Sequence, residues 1–180
     1  MTNQCHISVD VESNGPCPHF YSIISVGAIV VAPDLAAQDQ FYGEGYDDRE
    51  AFTGLEGAYE ASKIKREIHV QFQPMPSLFK TFGYWVDHVA DGRRATLWSD
   101  NPAFDWQWIN YGFQAAGMNN PFGFSARRIG DFYAGSKHDI TKATEWKKLR
   151  ITRHTHNALD DARGNAEAML QIMPQLSRNI

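Results

Sequence analysis

Asp10 and Glu12 stand two residues apart in the run His6-Ile7-Ser8-Val9-Asp10-Val11-Glu12. Polar and apolar residues alternate here with the period of a pleated strand, so Ile7, Val9 and Val11 share one side and Ser8, Asp10 and Glu12 the other. Ser13-Asn14-Gly15-Pro16 then breaks the strand. Two neighbouring carboxylates at a strand's C-terminal end can seat a hard divalent cation such as Mg²⁺ or Mn²⁺. A solvent-facing strand edge has the same pattern, so these two residues alone do not decide.

Two further segments carry acids at similar points. Asp100 and Asp105 flank the start of a helix announced by Asn101-Pro102, and Asp160 and Asp161 follow His156 at the start of another, with Asn157 as its cap. Acids in first helical turns are favoured by the helix dipole, so each has a structural reading of its own. Their number, together with His156, shifts the balance. Carboxylates converging to ~4 Å repel by about 4 kcal/mol per pair at an effective dielectric near 20. Cations relieve that repulsion, and a set of three or four carboxylates can hold two. Two ions so held stabilise the attacking and leaving oxygens of an in-line phosphoryl displacement. A histidine titrating near neutral pH suits the removal of a proton from the attacking water.

The elements that must position these groups are legible in outline. After the first strand, a loop runs from Ser13 to Tyr21, and Ser22–Ala32 reads as a strand buried on both faces, with Gly27 permitting close backbone approach. Pro33-Asp34 starts a turn, and Gln40–Tyr46 is a third strand, completing an antiparallel meander. Gly57–His69 has the pattern of one short amphipathic helix. A second helix is capped by Ser77 and runs to Val89, with Leu78, Phe82, Trp85, Val86 and Val89 as its apolar stripe. Ala95–Ser99 is a fourth strand. Asn101 caps a helix that continues to Ala116, with Phe104, Trp108, Ile109, Phe113 and Ala116 on one face. A short strand is expected at Arg128–Phe132, a short helix at Thr141–Leu149, and a last helix at Ala158–Met173. Strands first, then helices interleaved with strands, imply an α/β sandwich around a mixed sheet.

Composition sets outer bounds. The 180 residues fit one domain, 1–180, and no repeat or low-complexity linker divides them. The net charge of −4 advertises no basic face for nucleic acid, although a local patch would serve. Cys5 and Cys17 make no disulfide framework, and the N-terminus lacks a secretory pattern, so a cytoplasmic location is expected. No apolar run reaches the ~20 residues needed to span a membrane.

Asp10-Val11-Glu12, Asn101-Pro102-Ala103-Phe104-Asp105 and His156-Asn157-Ala158-Leu159-Asp160-Asp161 together resemble the three motifs of the DEDDh (DnaQ-like) 3′-5′ exonucleases. The resemblance selects Asp105 over Asp100 and Asp161 over Asp160. It implies an RNase H-like fold, a mixed five-stranded sheet with one antiparallel strand flanked by helices. It also implies Asp10, Glu12, Asp105 and Asp161 as ligands of two Mg²⁺ or Mn²⁺ ions, and His156 as general base. Nucleoside 5′-monophosphates would leave from the 3′ end of a single-stranded nucleic acid. RNA is the favoured substrate, with DNA the alternative, and family members are often homodimers. The small single-domain form resembles bacterial and phage exoribonucleases, including a polyadenylate-preferring type.

Where family members carry Thr or Ser and then Gly after the Glu, this chain has Ser13-Asn14-Gly15 and a Pro- and Cys-containing insertion. Ser13 and Asn14 remain the candidates for contact with the terminal nucleotide. Phe20, Phe104, Trp106 and Trp108 are candidates for stacking on bases, Phe20 and Trp106 foremost, because aromatics at helical spacing are ordinarily core. Lys142, Lys147, Lys148, Arg150 and Arg153 form either a solvated face or a track for phosphates. The reading from another class, a catalytically idle interaction module of the same fold, is disfavoured because an idle site has no reason to keep mutually repelling acids.

Overall fold

The computed structural model describes residues 4–33, 35 and 39–173. Its sheet has the order β3-β2-β1-β4-β5. The strands are β1 (Gln4–Ser13), β2 (Ile23–Val30), β3 (Gln40–Glu44), β4 (Arg94–Ser99) and β5 (Arg127–Arg128). β1 and β2 pair antiparallel, as do β2 and β3, whereas β1–β4 and β4–β5 are parallel. The expected meander is therefore present, and β2 is the one strand that runs against the rest. The turn expected at Pro33-Asp34 falls partly on Asp34, outside the described residues.

The alternation of β1 sorts its residues onto two cores. Ile7, Val9 and Val11 enter a cluster with Leu78, Phe79, Phe82 and Val86 of α3 (Met75–Ala90) and Trp108, Ile109 and Phe113 of α4 (Pro102–Ala115). The other face is covered by α6 (Ala158–Ile172), whose Ala162, Ala166 and Met169 meet Ile29 and Trp98. Ser8, Asp10 and Glu12 therefore face α6. Gly27 pairs directly with Asp10 across β1–β2. A Cβ at Gly27 would overlap the backbone of Ala158 and Leu159, so the bare glycine lets the start of α6 rest on the sheet beside Asp10.

Four local expectations give way to tertiary structure. The single helix expected over Gly57–His69 is two, α1 (Glu56–Ser62) and α2 (Arg66–His69), divided at Lys63, which is left-handed at φ 59°. α3 starts two residues before Ser77, with Pro74 at its N-cap and no side-chain cap. The strand expected at Arg128–Phe132 is only the two residues of β5, and α5 (Ile129–Ser136) follows at once. Ile129 and Ala134 of α5 are buried, and packing against Trp98 and Trp146 overrides the weak helical preference of this Gly-containing segment. Thr141–Leu149 holds two 3₁₀ turns, Ile140–Lys142 and Glu145–Leu149, rather than an α-helix. Among the described residues, no helix is long and apolar enough to cross a membrane.

Candidate active site

The site lies where β1 outruns its parallel neighbour. The β1–β4 ladder ends at the Ser8–Trp98 pair, while β1 continues to Ser13. Beyond that point the Val11 N–H has no strand partner on the β4 side, and the Asp105 carboxylate accepts it at 3.1 Å. The other Asp105 oxygen accepts from the Ser99 hydroxyl at the end of β4. Asp105 thus takes over the ladder's next rung and is buried. Asn101 occupies the expected N-cap position of α4, yet its side chain makes no capping bond, and its own N–H donates to Ser99 Oγ at 2.8 Å.

At the β2 side of the cluster, the register of β1 shifts between Glu12 and Ser13. A bulge at this point bends the strand and sends the chain away just after the second acid. From α6 comes Asp161, fully buried, while Asp160 beside it is exposed. Asn157 caps α6 by accepting from the N–H groups of Leu159 and Asp160. Asp161 is thereby turned inward to the sheet.

Two groups of carboxylates result, each with its oxygens within 4.8 Å of one another: Asp10, Glu12 and Asp161, and Asp10, Asp100 and Asp105. The four acids singled out from sequence therefore converge, and Asp10 is common to both groups. Asp100, set aside in favour of Asp105, joins them. It follows β4 directly, so the strand end that delivers Ser99 delivers it too.

The electrostatics are those of crowded negative charge, which Arg150 at Asp161 and Lys147 at Asp100 offset only in part. Burial, then the neighbouring Asp105, Glu12, Asp161 and Asp100, hold Asp10 well above the usual carboxylate range. Burial raises Asp105 as well, against the opposing hydrogen bond from Ser99. Glu12 is pushed up to about 7 by burial, then by Asp161 and Asp100. The donors are all hard carboxylate oxygens, a set that fits Mg²⁺ or Mn²⁺.

His156 Nδ1 lies 3.8 Å from Glu12 Oε1, with the side chain about half exposed. Its backbone is left-handed, at φ 57°, and its N–H donates to Asp161 Oδ2 at 3.0 Å. A β-carbon-bearing residue in that region is strained, and the carboxylate holds it there. Two residues not singled out individually for the site complete this corner. Arg150 donates to Asp161 Oδ1 at 2.8 Å, and His154 Nδ1 lies 2.9 Å from Oδ2. The His154 and His156 rings meet edge to face at 4.3 Å. Their spacing of two residues in an irregular loop carries no periodic signal; a second histidine so near His156 is the one hint the sequence offers.

The expected nucleotide contacts fare differently. Ser13 is buried and donates to the Gly15 carbonyl at 2.6 Å. Asn14 is also buried: its amide donates to Glu50 at 2.9 Å and Tyr59 at 3.0 Å, and its oxygen accepts from Ser22 N–H at 2.6 Å. Both side chains therefore face inward, and Asn14 ties the Asp47–His69 excursion to the end of β1. Phe104 and Trp106 are half-buried against the α3/α4 core. Phe20 is 43 % exposed and stacks on Phe52, itself 52 % exposed, with ring centroids 5.2 Å apart.

The comparisons with known proteins agree with this geometry. The family model of the 3′-5′ exoribonuclease Rv2179c-like domain matches residues 5–173. The 3′-5′ DNA exonuclease Cap18 of Escherichia coli is 32 % identical over 179 residues, covering 95 % of this chain and 92 % of its own. In fold, the chain is similar to the nuclease domain of 3′hExo, a DEDDh family member solved with rAMP bound. That likeness has a TM-score of 0.72 at 18 % identity and covers 94 % of this chain and 91 % of that one. E. coli Exonuclease I in complex with a dT13 oligonucleotide gives 0.66 at 12 %, covering 96 % and 42 %. The sheet order and flanking helices are accordingly RNase H-like. The chain belongs to the Rv2179c-like 3′-5′ exoribonuclease domain family and is a 3′-5′ exonuclease of the DEDDh type.

Proposed function

We propose that this enzyme removes nucleotides from the unpaired 3′ end of an RNA strand with two divalent cations, Mg²⁺ or Mn²⁺, releasing nucleoside 5′-monophosphates. The observation that carries this reading is the sharing of Asp10 between two three-carboxylate groups, which offers two adjoining cation seats. Asp10, Glu12 and Asp161 would hold one ion, and Asp10 and Asp105, with Asp100 beside them, the other. Bound there, the cations supply charge stabilisation for the phosphodiester and for the developing oxyanions.

The chain's own residues do the rest. His156 borders Glu12 through Nδ1, which leaves Nε2 to take the proton from the attacking water. The half-exposed ring is free to reach a water that the buried acids cannot approach. Asp161 orients that histidine by holding its backbone N–H. Phe20, in the loop that follows β1, stacks on Phe52, and the pair offers a flat apolar face to an unpaired base. A base within a duplex cannot use such a face, which supports a single-stranded substrate.

RNA is favoured by the family model's description as exoribonuclease, and DNA is the second reading, favoured by the E. coli relative named a DNA exonuclease. Matched RNA and DNA oligonucleotides of differing 3′ sequence, incubated with Mn²⁺ and analysed for mononucleotides, separate the two. Chelation, Asp10→Ala and His156→Ala should each cut release by at least about a hundredfold. Activity that survives chelation, or cleavage that starts inside the strand, would overturn the reading.

A further inference from the structure

Of the five basic residues that precede His156, the structure draws three around one cavity. Lys142 turns to Glu145 at 3.9 Å and is accounted for. Lys147, Arg150 and Arg153 instead line a cavity of about 290 Å³ together with Ile151, Thr152 and His154. Asp100, Asp161 and Glu167 touch these residues from behind the lining. Arg150 is buried and anchored on Asp161, and Lys147 reaches Asp100 Oδ2 at 3.2 Å, so the cavity adjoins both ends of the acid cluster. Arg153 is exposed and has no ion-pair partner among the described residues.

The cavity's floor is fixed in place. Glu167 of α6 accepts the N–H groups of Ile151 and Thr152, at 2.9 and 2.7 Å, and the Thr152 hydroxyl at 2.8 Å. Gly164 makes room for the loop, since a Cβ there would overlap the Arg150 guanidinium and the Thr152 carbonyl. Cations held on a braced loop lose little freedom when an anion arrives. With Lys147 held by Asp100 and Arg150 by Asp161, Arg153 is the lining cation left open to a ligand, and a guanidinium suits phosphate oxygens.

We propose that this cavity is a phosphate subsite for the substrate strand, binding the internucleotide phosphodiester next to the one being cleaved. The proposal rests on the exonuclease reading and adds a polarity to it: the backbone phosphates lie on the Lys147–Arg153 side of the acids. A dinucleotide has only the scissile phosphodiester and cannot use the subsite; a tetranucleotide can.

The test compares KM for di- and tetranucleotides, and the salt dependence of tetranucleotide binding, in wild type, Arg153→Ala, Arg153→Lys and Lys148→Ala. Wild type should favour the tetranucleotide by about tenfold or more in KM, as a charge-assisted phosphate contact implies. Arg153→Ala should largely erase that advantage and reduce the slope of log K against log salt by about 0.7. Arg153→Lys should restore most of both, and Lys148→Ala, which lies outside the cavity lining, should leave them as in wild type. An Arg153→Ala enzyme with the wild-type KM ratio and salt slope overturns the subsite while leaving the exonuclease reading intact. A wild-type protein that degrades neither oligonucleotide with Mn²⁺ overturns both.

Discussion

Glu12→Gln should stabilise the metal-free protein at alkaline pH and leave its stability unchanged in acid. Glu12 is pushed from 4.5 to about 7 in the folded chain, so between those values the folded state holds a proton that the unfolded state has released. Stability then falls as pH rises, because its slope follows protons bound unfolded minus protons bound folded. The full effect of Glu12, present below 4.5 and gone above 7, is about 3 kcal/mol, since each pH unit separating the two values is worth about 1.36 kcal/mol. For a chain of this size that corresponds to about 6–12 °C in Tm. Gln keeps the shape and removes the titration. The experiment is thermal unfolding followed by circular dichroism in chelator, wild type against variant, at pH 4.5 and pH 8. Taking the difference matters because His69, whose pKa burial lowers, works in the opposite sense in both proteins and cancels. Mn²⁺ at pH 8 should reverse the order, raising wild type more than the variant. If Glu12→Gln is no more stable than wild type at pH 8 without metal, the cost inferred for a buried, crowded charge at Glu12 does not exist.

Two other substitutions test how the frame holds the site. Gly27→Ala sets a methyl group against the Ala158 backbone, so α6 must lift from the sheet beside Asp10; a loss of about 1–3 kcal/mol in urea unfolding is expected, with a much larger fractional loss of nuclease activity. Equal activity at wild-type stability would show that α6 does not need that close approach. Asn14→Ala strands the Ser22 N–H and loosens Tyr59 and Glu50, which should cost at least about 2 kcal/mol in the same assay, while KM for a dinucleotide changes little if Asn14 acts only by bracing the loop.

Much of the site is legible in the sequence because its parts carry local signals. Alternation in β1 places Asp10 and Glu12 on one side, and the Asn101-Pro102 and Asn157 helix starts bring Asp105 and Asp161 to strand ends. What is not legible depends on contacts between distant segments. Asp100 reads as a residue passing between elements, and only the splay of β4 from β1 brings it to Asp10. Arg150 reads as one member of a basic run, yet it is buried on Asp161 eleven residues away. Asn14 reads as exposed because Gly and Pro follow it; its partners Tyr59 and Glu50 lie in an excursion whose expected single helix is two, since nothing local announces the left-handed Lys63. α5 and the two 3₁₀ turns form where Ile129 and Trp146 pack with Trp98, Ala162, Ala166 and Met169, partners that lie outside any window of residues 129–149.

The four acids of the motif pattern are of two mechanical kinds. Asp105 and Asp161 have their oxygens engaged by the protein before any cation arrives, the first by Val11 N–H and Ser99, the second by Arg150, Thr155 N–H, His156 N–H and His154. Asp10 and Glu12 have no such hydrogen bonds among the described residues; they are placed by the strand, and Glu12 has the His156 ring 3.8 Å away. A carboxylate already oriented loses little entropy on binding, whereas one held only by its backbone can turn to meet an ion. The shared acid is Asp10, which belongs to the adjustable kind, and it stands at the centre of the sheet between two oriented partners. The arrangement follows from β1 being the strand that outruns β4: the rung it leaves open takes Asp105, the bulge after Glu12 turns the chain aside, and the glycine opposite Asp10 lets α6 bring Asp161 and His156 down onto the same few ångströms of strand.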